Sequence, residues 1–114
     1  MPKIYNRAIF IPEWAKARQY NGPLQYSRHA LIQAAEDRYG DVTAKLPQFI
    51  PDHFQLVEVE IEDGICVKQM WRGRLTDELD LVMPVVASGV VTTVWINHKD
   101  DKHRTLQRHK YATR

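Results

Sequence analysis

A chain of 114 residues, 44% hydrophobic and 26% charged, supplies one domain and can bury a single core without staples. Its one cysteine, Cys66, excludes an internal disulfide framework and any CxxC zinc or redox motif, and no apolar run approaches the roughly 20 residues that span a bilayer. With no basic-apolar-small leader at Met1, the expectation is a cytoplasmic protein (of the host cell, if phage-encoded) with no membrane partner.

The formal net charge of +2 conceals a segregation. Residues 1–26 carry Lys3, Arg7, Lys16 and Arg18 against Glu13; residues 27–96 carry six basic and eleven acidic side chains; residues 97–114 carry six against two. Both ends are basic and the body is acidic, so an anionic partner would meet the ends.

In chain order, residues 1–26 read as an irregular arm with Pro2, Pro12 and Pro23, and one short helical piece after Pro12. Residues 27–114 read as a single α+β domain. Ser27 is the expected N-cap of a helix running to about Tyr39 and ended by Gly40. Ala30, Leu31, Ala34 and Ala35 form its apolar stripe, with His29, Gln33 and Glu36 on a polar side. Residues 41–54, with Pro47 and Pro51, read as a loop.

Four strands are predicted at 55–61, 65–72, 79–87 and 90–96. The first hairpin is read with a three-residue loop, Glu62-Asp63-Gly64, because a straight two-residue loop would set Val59 opposite Lys68. The longer loop pairs Val59 with Val67 and places Glu58 opposite Lys68. A Ser88-Gly89 turn pairs Leu81 with Ile96, Met83 with Val94 and Val85 with Thr92, and sets Val82 beside Trp95. Pro84 cannot donate to a ladder, so it predicts a bulge or an edge strand.

The expected fold is therefore a helical segment packed on one face of a four-stranded, mainly antiparallel meander, with a basic arm at each end. The other face would show Glu58, Lys68, Arg72, Thr93, Trp95 and Asn97, a mixed polar and aromatic surface beside the basic segment 97–114.

That segment holds His98, His103 and His109 among its cations. Metal-independent RNA cleavage needs a base, an acid and cations for the transition state, which imidazole, Lys and Arg supply. The candidate catalytic residues are His29, Arg72, Thr93, His103 and Lys110. Candidate nucleic-acid contacts are Lys68, Arg74, Trp95, Lys102, Arg104, Arg108 and Tyr111, with the aromatics as stacking platforms. Lys68 has a structural alternative in a cross-strand pair with Glu58, and Trp71 and Trp95 an alternative as core.

His98, Asp100, Asp101 and His103 lack a metal-ligand spacing, so neither metal nor cofactor is expected. Cys66, placed opposite Glu60, is a poor nucleophile, because a carboxylate raises a thiol pKa. Gly64, Gly73 and Gly89 read as isolated turn glycines rather than a phosphate loop.

The helix-then-sheet order resembles the compact ribonuclease-toxin superfamily of barnase, EndoU, the colicin ribonucleases and RelE-like enzymes. Ser27-Arg28-His29-Ala30, Asp37-Arg38-Tyr39-Gly40 and Thr93-Val94-Trp95-Ile96-Asn97 leading to Asp101-Lys102-His103-Arg104-Thr105-Leu106 also resemble small proteins of phages and mobile elements. The resemblance covers roughly residues 27–111. It implies metal-independent RNA cleavage, with His29, Arg72, Thr93, His103 and Lys110 as positions of matching type. The first 26 residues and the Asp100-Asp101 pair depart from it.

Three readings stay open: a nucleic-acid-directed protein of ribonuclease type, a non-catalytic binder of RNA or single-stranded DNA, and a phage protein that docks on a host or virion protein.

Overall fold

Ser27 does begin a helix. A computed structural model describes residues 20–100, the Glu62 side chain excepted, so the helical piece expected after Pro12 lies outside the described residues. The Ser27 hydroxyl accepts from the Ala30 N–H at 3.0 Å, which caps α1 (Arg28–Ala35). The helix is shorter than predicted. Asp37 accepts the Tyr39 N–H at 2.9 Å and closes a local turn, and the Val42 N–H takes the Ala34 carbonyl. Gly40 therefore serves a turn beyond the helix, not its end. Only Ala30 and Ala34 of the expected stripe are buried; Leu31 is 41% exposed, because two alanines let the helix axis lie close to the sheet.

Among the described residues the sheet has six strands rather than four. β1 (Gln25–Tyr26) precedes the helix, and β2 (Gln55–Glu62), β3 (Ile65–Arg74) and β4 (Leu79–Val86) form a meander. The last predicted strand is split into β5 (Val90–Val91) and β6 (Trp95–His98). The order is β1-β5-β4-β3-β2, with β6 also on β4. All pairs are antiparallel except β1 with β5. A short 3-10 turn, Thr43–Lys45, interrupts the loop before β2.

The split strand has a cause in Pro84. In a strand a residue's N–H and C=O point to the same side, and the Pro84 carbonyl accepts from the Thr92 N–H at 3.3 Å. The donor that proline lacks is therefore missing on the side of β5 and β6, where residues 92–94 leave the ladder. Val85 pairs with Val91 but Leu81 with Ile96, a shift of one residue across the break. The expected Leu81–Ile96 and Val82–Trp95 pairs form; the Met83–Val94 and Val85–Thr92 pairs do not. Helix α1 fills the gap. The Gln33 side-chain oxygen accepts from the Val94 N–H at 3.0 Å and from the Thr93 hydroxyl, and the Ser27 hydroxyl donates to the Thr92 carbonyl.

The first hairpin corrects the register. Glu62 pairs with Ile65, so the loop is the two residues Asp63 and Gly64, both with positive φ (52° and 79°), which matches the twist of the flanking strands. A bulge at Val67 then sets Glu60, not Glu58, opposite Lys68 and Val59 opposite Gln69, which keeps Val59 inside without a longer loop. A second bulge at Val57, on the opposite strand, cancels the first. Cys66 consequently faces Ile61 rather than Glu60.

Gly73 is a strand residue paired with Leu81, not a turn glycine. A Cβ there would sit inside the Phe54 ring, so the glycine permits Phe54 to lie flat against the backbone of β3. Gly73→Ala is expected to cost about 1–3 kcal/mol by overpacking, read as a lower urea midpoint at unchanged m-value.

One sheet face carries the main core. Trp71, Leu81, Met83, Val85, Val91 and Ile96 meet Ala30 and Ala34 of the helix and Leu24, Val42 and Phe54 of the loops. The second face clusters Val57, Met70 and Val82, with Trp95 packed on them.

Candidate functional site

Arg72 and Arg74, the arginines expected to meet phosphate, both donate to the Asp80 carboxylate. Arg72 and Asp80 project from adjacent strands onto the second face, and Arg74 lies directly opposite Asp80. The Arg72 Nε donates to Asp80 Oδ2 at 2.9 Å and the Arg74 Nε to Asp80 Oδ1 at 2.7 Å, so one carboxylate bridges two guanidinium groups. Arg72 is 9% exposed and also donates to the His98 carbonyl at 3.3 Å. Arg74 is about half exposed, and its Nη1 reaches the Asp77 carbonyl. An isolated buried Asp is costly unless paired, so the cluster follows from placing Asp80 in an otherwise apolar strand.

His29 and Arg72 lie on opposite sides of the sheet. His29 sits on the solvent side of α1, the helix that covers the main core, whereas Arg72 belongs to the other face. The Thr93 hydroxyl is engaged by Gln33 at the strand break. His29 and Thr93 thus share the region where α1 meets the break at residues 92–94, without Arg72. Lys68 is half-buried between Glu60 and Val86.

Trp95 is half-buried against Val57, Met70 and Val82, and its indole Nε1 finds no hydrogen-bond partner among the described residues. It packs as a core residue rather than standing clear as a stacking platform. The second face as a whole is more buried than expected, with Glu58 at 1% and Asn97 at 5% exposure. His103, Lys110, Lys102, Arg104, Arg108 and Tyr111 lie outside the described residues.

The root of the basic segment is fixed. The Lys99 N–H donates to the Glu78 carbonyl at 2.8 Å, while the Glu78 carboxylate receives His98 Nε2 at 3.2 Å and lies 3.7 Å from Lys99 Nζ. Asp100 closes the other side of His98, its N–H donating to Nδ1 at 3.2 Å. The end of β6 is therefore held beside the β3–β4 loop.

Two grooves border these elements. One, of about 360 Å³, is lined by Tyr20, Asn21, Cys66, Lys68, Gln69 and Val86 among others. Burial pushes the Cys66 thiol up, against the opposing influence of the Lys68 carbonyl and Gln69. The other, of about 340 Å³, runs between Gln33, Glu36, Asp37 and Arg38 and strand β6. Among the described residues no three His, Cys, Asp or Glu side chains converge as metal ligands, and no helix is long and apolar enough to cross a membrane.

Asp80, Glu78 and Gln33 organise this region, and the sequence reading passed over the first two. A single carboxylate in the apolar run from Leu79 to Val86 was the available signal for Asp80.

The chain matches no family model, no curated protein and no solved structure. Function rests on its own residues.

Proposed function

We propose that this protein is a non-catalytic, nucleic-acid-directed binding protein that engages single-stranded RNA or DNA through its basic C-terminal segment, with the folded body as carrier. One observation carries the reading: the two arginines of the sheet share a carboxylate, while the cations of the segment outnumber its acids. Residues 20–100 hold seven Lys/Arg against twelve Asp/Glu, whereas residues 101–114 hold five against Asp101. Arg72 and Arg74 already share Asp80. A polyanion is attracted to the segment and repelled by the body.

The ribonuclease reading asks Arg72 to stabilise a transferring phosphate, and that guanidinium is buried on a carboxylate. It also asks His29 to work with Arg72 across the thickness of the sheet. Binding without cleavage needs neither.

The test is a titration of labelled single-stranded RNA and DNA with the full chain across about 50–200 mM salt, followed by analysis of the RNA ends. The expected outcome is binding with a log–log salt slope of about −3 to −4, from roughly five neutralised phosphates at about 0.7 each, and intact RNA. Cyclic-phosphate ends formed without metal would restore the ribonuclease reading. Absence of binding at low salt would leave a protein partner as the function.

A further inference from the structure

Helix α1 is apolar on two sides. Its inner side, Ala30 and Ala34, lies on the sheet, and Gln33 reaches into the strand break, which fixes the rotation of the helix about its axis. At 3.6 residues per turn, Ile32 falls about 180° from the midpoint of Ala30 and Ala34 and points away from the sheet. It is 46% exposed, and Leu31 and Ala35 lie exposed beside it. Arg28, one turn before Ile32, and Glu36, one turn after it, complete the outward side, both exposed.

The charges at the two ends of α1 oppose the helix that carries them. Aligned peptide dipoles make the N-terminal end positive and the C-terminal end negative, so acids are favoured in the first turn and bases in the last. Helix α1 has neither: Arg28 is its first residue and Glu36 its C-cap. Among the described residues no ion pair takes up either side chain. A second helix lying antiparallel on the first accounts both for this charge order and for the outward aliphatic side chains.

We infer that the outward side of α1 is a self-association surface, on which a second copy of this chain lies antiparallel about a two-fold axis through Ile32. Positions equally far from Ile32 in opposite directions then face each other. Ile32 meets Ile32, and Arg28 of each copy meets Glu36 of the other, so two ion pairs close together. Leu31 and Ala35 widen the apolar contact. One patch complements itself, which is what a two-fold interface requires. A helix of eight residues is only about 12 Å long, so the contact falls below the roughly 1,200 Å² of stable interfaces and the dimer is weak. The inference stands independently of the proposed binding function.

Sedimentation velocity of the full chain over about 10 µM to 1 mM, at low ionic strength, tests it. The weight-average coefficient is expected to rise toward that of a dimer as concentration increases. Arg28→Glu and Glu36→Arg, each alone, should weaken association roughly tenfold, because each sets like charges opposite one another twice. Both changes suit the helix dipole, so the circular dichroism of either variant should be unchanged. An equimolar mixture of the two variants should recover association, since one copy then presents two acids to the two bases of the other. The double variant Arg28→Glu, Glu36→Arg should recover it as well, and Ile32→Asp should abolish it. A chain that stays monomeric throughout overturns the inference and leaves the face to a different occupant. Association that survives both single variants, as docking of the basic C-terminal segment on a second copy would, also overturns it. So does a mixture that fails to recover what the single variants lose.

Discussion

Asp80→Ala is expected to destabilise the fold by about 3–5 kcal/mol, because it removes the carboxylate that receives the Nε of the buried Arg72 guanidinium. The Asp80 carboxylate receives Arg72 on one oxygen and Arg74 on the other, and both Asp80 and Arg72 are largely withdrawn from water. Arg74, half exposed, is solvated when Asp80 is removed and adds little, so the loss falls on Arg72. A domain of this size holds about 5–15 kcal/mol in all, so the variant should unfold at a much lower urea concentration. Arg72→Met combined with Asp80→Leu should recover most of the loss, since replacing a buried pair by apolar groups of similar volume is often neutral. Equal losses in the single and double variants would mean that packing, and not the uncompensated charge, sets the effect.

Neutralising Lys102, Arg104, Arg108 and Lys110 to Gln is expected to flatten the salt dependence of single-strand binding by about 3 in log–log slope, at roughly 0.7 per phosphate. Over a rise from about 50 to 200 mM salt, that is about a 50-fold difference in how far binding weakens. Affinity at the low-salt end should fall in the same variant. Arg28→Gln with Arg38→Gln, which removes two cations of the body, should leave the slope where it was. A slope that follows the body variant instead would move the polyanion onto the helix and its following turn.

Much of the fold was legible because it rests on local chemistry. Ser27 announces its helix by a hydroxyl placed before an alanine-spaced run, and Asp63-Gly64 announces a hairpin. Pro84 announced a bulge or an edge strand; β4 is central, and its ladder breaks on the side where the missing donor would have pointed. What stayed hidden was long-range. The bulges at Val57 and Val67 shift register by one residue and back, and no pattern of period two reveals a pair of compensating defects. The helix stops at Ala35 because the Asp37 side chain closes a turn, a competition that apolar spacing does not register.

The candidate site was less legible for a related reason. Arg72 and Arg74 look like phosphate ligands until β3 is registered against β4, which places Arg74 opposite Asp80. Trp95 among basic residues suggests a stacking platform, yet its neighbours in space are Val57, Met70 and Val82 from other strands. A charge in sequence says nothing of which counter-charge the fold will bring to it. The segregation of charge along the chain, by contrast, survives folding, because it belongs to whole segments.

Amide chemical shifts of the full-length, isotope-labelled chain, followed during titration with an unlabelled single-stranded oligonucleotide, locate the polyanion residue by residue. Perturbations concentrated in residues 97–114, with Arg72, Thr93 and the helix nearly still, are what a basic segment on an acidic body requires. Perturbations centred on His29, Thr93 and Arg72, with the C-terminal segment unchanged, would contradict it.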